Sequence, residues 1–394
     1  MSLNATPSAN RTHIGFFGRT NAGKSSLVNA FASQNVSLVS DISGTTTDPV
    51  KKSMELLPIG PVELYDTPGL DDKSVLGKER IERAMRIMDS TDIAIIVVDA
   101  LIGITDADKS IMQALSDKKI PYIIAMNKSD TLKEIPNDYN NVVYVSSTSG
   151  YGIDKLKQAT ATLVPQKIEK FILPDSIKTG DVVILVIPID ESAPKGRLIL
   201  PQQQTIRELL EKGVTTICTR ETYLADTLKK LKEPPKLVIT DSQAFGYVSK
   251  ILPLELNLTS FSILFARYKG DLEVLVQGAK KLDKLCDGDK ILISEGCTHH
   301  RQCNDIGSVK LPGWIKKYTG KDLTFEFTSG GEFPNDLSEY ALVIHCGACM
   351  LNEREMKSRM EKAGFSNVPM TNYGTAIAKM NGILDRSLEI FRNL

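Results

Sequence analysis

One eight-residue segment constrains the fold of this chain more than any other feature: Gly18-Arg-Thr-Asn-Ala-Gly-Lys-Ser25. The segment fits the pattern G-x4-G-K-[ST]. It lies between an apolar run over 14–18 and an amphipathic stretch over 24–32, which is the strand–loop–helix context that the pattern requires. Its glycines let backbone N–H groups curl round a phosphate, and the helix N-terminus adds its dipole. We therefore predict a phosphate site in which Lys24 reaches the β- and γ-phosphates and Ser25 binds Mg²⁺.

Three more motifs follow in the order expected of a guanine-nucleotide site. Asp66-Thr-Pro-Gly69 ends a predicted strand, where Asp66 can hold Mg²⁺ through water and the Gly69 N–H can face a γ-phosphate. Asn127-Lys-Ser-Asp130 ends another, and the Asp130 carboxylate can accept hydrogen bonds from both N1–H and N2–H2 of guanine, a pair of donors that adenine lacks. Ser146-Ser-Thr-Ser-Gly150 supplies a loop against the base. Together the motifs predict a GTP-binding domain.

Apolar β-rich runs alternate with amphipathic helical stretches along almost the whole chain, a pattern typical of parallel α/β sheets. The length of 394 residues, with 42% hydrophobic and 24% charged residues, is enough for several buried cores. We predict an α/β fold in which an N-terminal P-loop GTPase domain is followed by two further α/β domains with mainly parallel sheets. The segment 165–181, which contains two prolines and a glycine, is expected to link domains.

These motifs resemble those of the translation-factor class of GTPases, specifically the TrmE–Era group, over about 11–163. Gly44-Thr-Thr-Thr-Asp48 is similar to switch I of that group, which implies that Thr46 senses Mg²⁺ and the γ-phosphate. The resemblance assigns catalysis to Lys24, Thr46, Asp66 and Gly69, and Mg²⁺ binding to Ser25, Thr46 and Asp66. The expected nucleotide contacts are Gly18, Asn21, Ala22, Gly23, Lys24, Ser25, Ser26, Thr46, Asp66, Gly69, Asn127, Lys128, Asp130, Ser146 and Ser147.

Two positions predict slow intrinsic hydrolysis. Leu70 stands where Ras-like proteins have the water-orienting glutamine, and we expect Arg19 to be a solvated loop charge and not an arginine finger. Without those parts, hydrolysis should proceed on the order of 10⁻⁴ to 10⁻² per second. The resemblance also implies that Asn21 helps to hold K⁺ where an arginine finger would otherwise lie, so we predict stimulation by K⁺ over Na⁺.

The second distinctive feature is a cluster of cysteines and histidines near the C-terminus. Four of the six cysteines and three of the four histidines fall between Cys297 and Cys349, in the pattern Cys297-Thr-His299, then His345-Cys346-Gly-Ala-Cys349. Both halves follow a predicted strand, over 291–294 and 340–344. Because neighbouring strand ends of an open α/β sheet share one crevice, these distant residues can converge there.

From the residues alone, several chemistries fit this pattern. A structural zinc site would be closed by four protein ligands, and Cys₃His is allowed. A dithiol redox site would need only Cys346 and Cys349, and would leave Cys297 unexplained. Three thiolates on an iron–sulfur cluster with a labile fourth ligand use the incomplete set most naturally. Cys303 lies outside the motif and is expected to be an ordinary loop thiol.

A TrmE–Era-like domain followed by an α/β region and this C-x-H…H-C-x-x-C pattern resembles the HydF family of [FeFe]-hydrogenase maturation GTPases. The resemblance implies that Cys297, Cys346 and Cys349 hold a [4Fe-4S] cluster, with His299 or His345 as a candidate fourth ligand. It also implies a polar tail (1–10), a GTPase domain (11–168), a dimerisation domain (175–268) and an iron–sulfur cluster-binding domain (269–394).

The function implied by the resemblance is that of a scaffold and carrier. Such a protein would receive a diiron subcluster precursor and deliver it to apo-[FeFe]-hydrogenase, with GTP hydrolysis as a switch. The implied partners are a second copy of the chain, the radical-SAM maturases HydE and HydG, and the hydrogenase. The apolar run over 181–188 could offer an edge or face for the dimer.

Composition bears on the remaining classes of function. Lys plus Arg equals Asp plus Glu, 48 against 48, which disfavours nucleic-acid or membrane-surface binding by bulk charge. The longest aliphatic run, 93–98, is far short of a spanning helix, and the polar N-terminus lacks an apolar signal region, so a reducing cytoplasm is expected. The alternative is a regulatory TrmE–Era-type GTPase of ribosome or tRNA metabolism with a structural zinc module.

Overall fold

The computed structural model describes residues 6–33, 41–42, 51–69, 75–164, 170–189, 198–297 and 305–391. The chain divides into two compact units, Met1–Ile168 and Glu169–Leu394. Within the described ranges, no helix is long and apolar enough to cross a membrane.

The first unit is a sheet with helices on both faces. In its described part, seven strands have the order β2-β3-β4-β1-β5-β6-β7, with β2 and β3 antiparallel to their neighbours and the other pairs parallel. Its elements are β1 (Thr12–Phe17), α1 (Lys24–Ser33), β2 (Asp41–Ile42), β3 (Lys51–Leu56), β4 (Gly60–Asp66), α2 (Val75–Ser90), β5 (Ile93–Asp99), α3 (Asp106–Asp117), β6 (Tyr122–Asn127), β7 (Val142–Tyr144) and α4 (Ile153–Thr162).

The central strands explain why this sheet forms. Every residue of β5 is buried, since the helices cover both faces and a continuous apolar run can pack on each side. By contrast, β3 pairs antiparallel with β2 and β4 and is only partly buried, and its two lysines hid it from the sequence prediction. Helix α3 begins with a capping box, in which Thr105 and Asp108 satisfy each other's backbone N–H groups.

The second unit contains two four-stranded parallel sheets. In its described residues the orders are β11-β10-β8-β9 and β13-β12-β14-β15. The elements are β8 (Val182–Val186), α5 (Leu200–Glu211), β9 (Thr215–Thr219), α6 (Leu224–Lys230), β10 (Leu237–Thr240), α7 (Phe245–Ile251), β11 (Leu258–Ser260), α8 (Phe261–Lys269), α9 (Leu272–Ala279), β12 (Lys290–Glu295), α10 (Leu311–Thr319), β13 (Thr324–Ser329), β14 (Leu342–His345), α11 (Glu353–Phe365), β15 (Met370–Asn372), α12 (Tyr373–Met380) and α13 (Leu384–Leu388).

The predicted α/β fold, with a P-loop domain followed by mainly parallel sheets, is confirmed. The two sheets of the second unit share one hydrophobic core, to which Ile184 and Val238 contribute from the first sheet and Ile293 and Ile344 from the second. Burial of this common apolar surface makes 169–394 a single compact unit.

Two sequence expectations about this unit are wrong in detail. The run over 181–188 contains β8, which is hydrogen-bonded on both sides and buried, so it is not an exposed edge; β9 is the edge strand beside it. Part of the expected linker also belongs to the core, since Ile172, Leu173 and Ile177 are buried. Apolar side chains decided both outcomes, because a wholly aliphatic strand is stable only when both of its faces are covered.

Candidate nucleotide and cysteine sites

The P-loop of the first unit passes so close to neighbouring strands that only glycine fits at two positions. Gly18 has a φ of +149°, and a Cβ there would strike the backbone oxygen of Val97 in β5. Gly23 has a φ of +88°, and a Cβ there would strike the side-chain amide of Asn127 at the end of β6. The loop therefore curls over the carboxyl ends of β1, β5 and β6, where its backbone can face a phosphate.

The motif lysine lies along this loop. Lys24 is 7% exposed, and its Nζ donates to the backbone oxygens of Gly18 at 3.1 Å and Arg19 at 2.7 Å. Ser25 and Ser26 are exposed in the first turn of α1, where hydroxyl groups can reach a metal ion or phosphate beside the helix N-terminus. These positions are those that a phosphate-binding P-loop needs.

Asn127 connects three motifs that are far apart in the sequence. Its Nδ2 donates to the backbone oxygen of Ala22 at 3.0 Å, and its Oδ1 accepts from the N–H of Ser147 at 3.1 Å. In the same base-side loop, the Ser146 Oγ accepts from the N–H of Ser149 at 3.1 Å. One buried amide thus fixes the phosphate loop to both predicted base-binding segments.

A lysine of the base-side motif, Lys128, forms an ion pair with Asp99 at the end of β5. Lys128 has a left-handed backbone, φ 63°, and its Nζ lies 2.7 Å from Asp99 Oδ2. Burial raises the pKa of Asp99, but hydrogen bonds from Lys128 and from the N–H groups of Leu101 and Ile102 outweigh it, so the pKa lies below its usual value. Asp130 is exposed, as a carboxylate that receives a base must be.

Asp66 and Gly69 lie at the end of β4, beside the P-loop. The Oδ1 of Asp66 is buried and has no hydrogen-bonding partner among the described residues. A Cβ at Gly69 would collide with Thr20 of the P-loop, so the two segments are in close contact. An orphaned carboxylate oxygen in this place fits the predicted role of Asp66, which is to accept from metal-bound water.

Other predicted residues of this site have different outcomes. Thr46, together with the rest of the 44–48 element, and Leu70 lie outside the described residues. Arg19 is not a solvated charge, because its Nε lies 3.6 Å from Oδ2 of Asp108, a carboxylate fully buried in α3. The pairing was invisible in the sequence because Asp108 looks like an ordinary helix-cap residue.

In the second unit, parallel pairing brings the two halves of the cysteine motif together. Strands β12 and β14 are neighbours, with Ser294 opposite His345, so Cys297 and Cys346 follow adjacent strand ends. The Cys346 Sγ accepts hydrogen bonds from the N–H of Gly296 at 3.1 Å and the N–H of Ala348 at 3.4 Å. The thiol of one half is thereby bound to the backbone of the other.

The three thiols are close enough to influence one another electrostatically. Burial, and next the neighbouring Cys349, raises the pKa of Cys346 to about 11. Burial is also the main cause that raises the pKa of Cys297, followed by Cys346 and Cys349, and it raises the pKa of Cys349. All three are therefore neutral thiols, and a bound metal would have to displace their protons.

The donor set fits a sulfur-ligated metal group in its chemistry. Three thiols converge, and backbone N–H groups point at one sulfur, as they do around iron–sulfur clusters. Among the described residues, however, no group of three or more His, Cys, Asp and Glu side chains is arranged to hold a metal ion. His299 and Cys303 belong to 298–304, which lies outside those residues.

His345 uses both of its ring nitrogens inside the protein. The side chain is fully buried, with Nδ1 3.0 Å from the Cys346 backbone oxygen and Nε2 2.9 Å from Arg359 Nη1. Burial, and next the positive charge of Arg359, lowers the pKa of His345 to about 3. A neutral ring therefore donates from Nδ1 and accepts at Nε2, which positions the carbonyl of a cysteine.

Two buried cations were missed by the sequence analysis. Arg359 also donates to Ser294 Oγ at 3.3 Å and to Glu355 Oε1 at 2.7 Å, and lies over the Phe333 ring. Lys269 is 2% exposed, and burial lowers its pKa to about 8. Lys269 is the last residue of α8, and Arg359 lies within α11. A charged residue on such a helix normally faces solvent, so no sequence pattern indicated that these two side chains are buried.

Three family models match the chain, in order. A 50S ribosome-binding GTPase model matches residues 13–128, a hydrogen maturase F dimerization domain matches 172–270, and a hydrogen maturase F tetramerization domain matches 273–390.

The curated relatives match less than half of the chain. GTPase Der of Kosmotoga olearia is 35% identical over 175 residues, which is 40% of this chain and 39% of the relative. The tRNA modification GTPase MnmE of Nitrosomonas europaea is 35% identical over 147 residues, 36% of this chain and 32% of the relative. The chain thus spans about a third of the length of these relatives.

Solved structures resemble the chain only at low similarity. Era in complex with MgGDPNP and a segment of 16S ribosomal RNA has a TM-score of 0.34 at 19% identity, covering 53% of this chain and 93% of that one. The G domain of the T. maritima FeoB iron transporter has a TM-score of 0.30 at 24% identity, covering 40% and 100%. Since the two hydrogen maturase F models together match more than half of the chain and follow the GTPase domain as in the HydF architecture, the chain belongs to the hydrogen maturase F (HydF) family.

Proposed function

We propose that this protein is a GTP-hydrolysing scaffold that binds a [4Fe-4S] cluster, assembles a diiron subcluster precursor and delivers it to apo-[FeFe]-hydrogenase. The observation that supports this most is that the cysteine motif converges at adjacent strand ends in the same chain as a formed P-loop. The family membership points to the same process. The proposed partners are the radical-SAM maturases HydE and HydG and the hydrogenase, in a reducing cytoplasm, with no nucleic acid or membrane.

At the nucleotide site, each residue has a proposed task. Lys24 binds the β- and γ-phosphates, Asp130 binds the guanine edge, and the Gly69 N–H faces the γ-phosphate. Ser25, Thr46 and Asp66 would hold Mg²⁺, which would neutralise phosphate charge.

Intrinsic hydrolysis should be slow because the arginine of the P-loop is already paired and the water-orienting glutamine is replaced. The guanidinium of Arg19 is paired with the buried Asp108, and Leu70 cannot orient a water molecule. We expect rates on the order of 10⁻⁴ to 10⁻² per second without an activator.

A potassium ion is proposed to take the place of the missing cation. Asn21 is exposed in the P-loop with a φ of +64°, where its side-chain oxygen can face a cation beside the phosphates. The test is the hydrolysis rate in KCl against NaCl at equal ionic strength. Faster turnover in KCl, abolished by Asn21→Ala, is expected; equal rates in the two salts would contradict the K⁺ site.

At the cysteine site, Cys297, Cys346 and Cys349 would hold the cluster. When bound, a cluster with three protein thiolates supplies one iron with an exchangeable position, to which a transferable guest can attach. Because both nitrogens of His345 are engaged, we propose that His345 positions the Cys346 carbonyl and that His299 is the better candidate for the fourth position.

A homodimer is proposed as the working assembly, through the exposed edge of β9. This strand is last in the order of the described sheet and only partly buried, and Cys218 on it is exposed, so a second copy could pair along it. A spin label on Cys218 tests this: a short inter-label distance in the dimer is expected, and a distance beyond the range of paired strands would exclude this edge.

GTP hydrolysis is proposed to act as a switch, since loss of the γ-phosphate would release Thr46 and the segment at Gly69. The experiment is hydrogenase maturation with Lys24→Ala in place of the wild-type chain. Greatly slowed maturation is expected, with iron content unchanged. Maturation as fast as wild type would end the switch model.

A colourless protein with one zinc that associates with ribosomes or tRNA would instead support the regulatory alternative.

A further inference from the structure

A buried lysine holds the loop that carries two of the three cysteines. Lys269, the last residue of α8, donates from Nζ to the backbone oxygens of Ala348 at 3.1 Å, Cys349 at 3.0 Å and Leu351 at 2.6 Å. We call residues 346–351 the cysteine loop. All three ammonium donors are thus used on one short segment, which is the full hydrogen-bonding capacity of the side chain.

The helix that supplies this lysine comes from the other sheet of the unit. Helix α8 starts directly after β11, where the Ser260 side chain accepts from the N–H of Ile263, and it ends within the part matched by the dimerization-domain model. The cysteine loop follows β14, in the part matched by the tetramerization-domain model. The Lys269 side chain, from the first region, therefore holds the backbone of the cysteine loop in the second region.

A side chain that only held the cysteine loop in place would not need the positive charge of Lys269. A buried ammonium group is costly unless negative charge offsets the desolvation, and a neutral donor could bind the same carbonyls. The described surroundings of the thiols already contain the buried carboxyl groups of Glu295 and Asp305, and Arg359 is paired with Glu355. Cysteines that bind metal become thiolates, which adds further negative charge beside Lys269.

We propose that Lys269 is a positioning residue for the cysteine loop and that its positive charge raises the reduction potential of the iron–sulfur group held by Cys346 and Cys349. The inference rests on the proposed function, because it requires that the cysteines bind such a group. A nearby positive charge stabilises the reduced, more negative state.

The test is a redox titration of the anaerobically reconstituted full-length chain, followed by EPR. Lys269→Met removes the charge and the donors, Lys269→Gln keeps donors without the charge, and Lys269→Arg keeps the charge. Lys250→Met, which changes an exposed lysine of α7, is the matched control. Iron content and circular dichroism are measured for each variant, so that loss of folding is recognised independently of the potential.

We expect the potentials to follow charge. The Met and Gln variants should favour the oxidised state by about tenfold, a downward shift of about 59 mV for a one-electron couple, while Arg and Lys250→Met stay near wild type. If Met fails to fold, the comparison of Gln with Arg decides the question. Equal potentials in Gln, Arg and wild type would overturn the role of Lys269. Absence of any iron–sulfur group in the wild type would instead overturn the proposed function.

Discussion

The nucleotide site of the first unit is built mainly from backbone, whereas the cysteine site of the second unit is built from side chains. In the first, Gly18 and Gly23 allow the P-loop to pass close to the neighbouring strands, and the Asn127 side chain hydrogen-bonds it to the base-side loop. In the second, half-buried thiols with raised pKa values converge but form no metal-holding group among the described residues. A backbone cradle depends only on glycine geometry and hydrogen bonds within the protein, whereas thiols become metal ligands only after they lose their protons, so the two kinds of site respond to different substitutions.

The largest effect is expected at the cysteine site, where one substitution tests whether thiol side chains build the site. Cys346→Ser removes the thiol that accepts two backbone N–H groups, so we expect the variant to lose most of its iron after anaerobic reconstitution. Iron and sulfide analysis measures this. Cys286→Ser, at an exposed thiol, is the control and should keep the wild-type content. Full iron retention in Cys346→Ser would show that this side chain does not build the site.

The next effect tests the phosphate-binding role of the P-loop through its lysine. Lys24→Ala should lower kcat for GTP by about 10²–10³, the usual cost of one lost electrostatic group at a developing charge. The fold should persist, because glycine geometry and Asn127 hold the loop without the lysine. Steady-state phosphate release measures the loss, with the exposed Lys109→Ala as control. A fall below tenfold would contradict the assignment of Lys24.

A smaller effect concerns the choice of base. Asp130→Ala removes the charged acceptor of the guanine edge, a loss of about 1.5–3 kcal/mol in all, so GTP should bind roughly 10- to 150-fold more weakly. Binding of ATP, which makes no such pair, should not change. Calorimetric titration measures both, and Asp154→Ala, at an exposed carboxylate of α4, is the matched control. Equal loss for both nucleotides would mean that Asp130 acts only on the fold.

The smallest effect concerns the stability of the first unit through Glu63 of β4, the strand that ends at Asp66. Burial raises the pKa of Glu63 in β4, but His13, Lys51 and hydrogen bonds from Ser8 and Tyr65 outweigh it, so the folded-state pKa lies below the unfolded one. The ionised carboxylate therefore stabilises the unit above about pH 4.5, and this stabilisation disappears as the pH falls through the folded-state pKa.

Glu63→Gln should accordingly lose about 1–3 kcal/mol of unfolding free energy at pH 7, and the loss should shrink towards pH 3. Thermal unfolding at several pH values measures it, and the exposed Glu55→Gln serves as control. A loss that stays constant with pH would show that Glu63 contributes through packing alone.

The same contrast explains how far the sequence could predict the molecule. The P-loop is a consecutive motif, so its strand, loop and helix could be located from spacing alone. The meeting of Cys297 with Cys346 could be predicted because parallel strands end at a common edge. Lys269 and Arg359 could not, because a charged residue on a helix normally faces water and only the tertiary fold shows which one is buried. The edge position of β9 likewise depends on strand order, which no local pattern encodes.

The central claim is that one chain combines a GTP site with an iron–sulfur site. Its most direct test is the iron, zinc and acid-labile sulfide content of anaerobically prepared protein, read together with its visible spectrum. We predict about four iron and four sulfide per chain, with charge-transfer absorption that disappears when Cys297, Cys346 and Cys349 are all changed to serine. A colourless protein that holds one zinc ion and takes up no iron or sulfide on reconstitution would contradict the account.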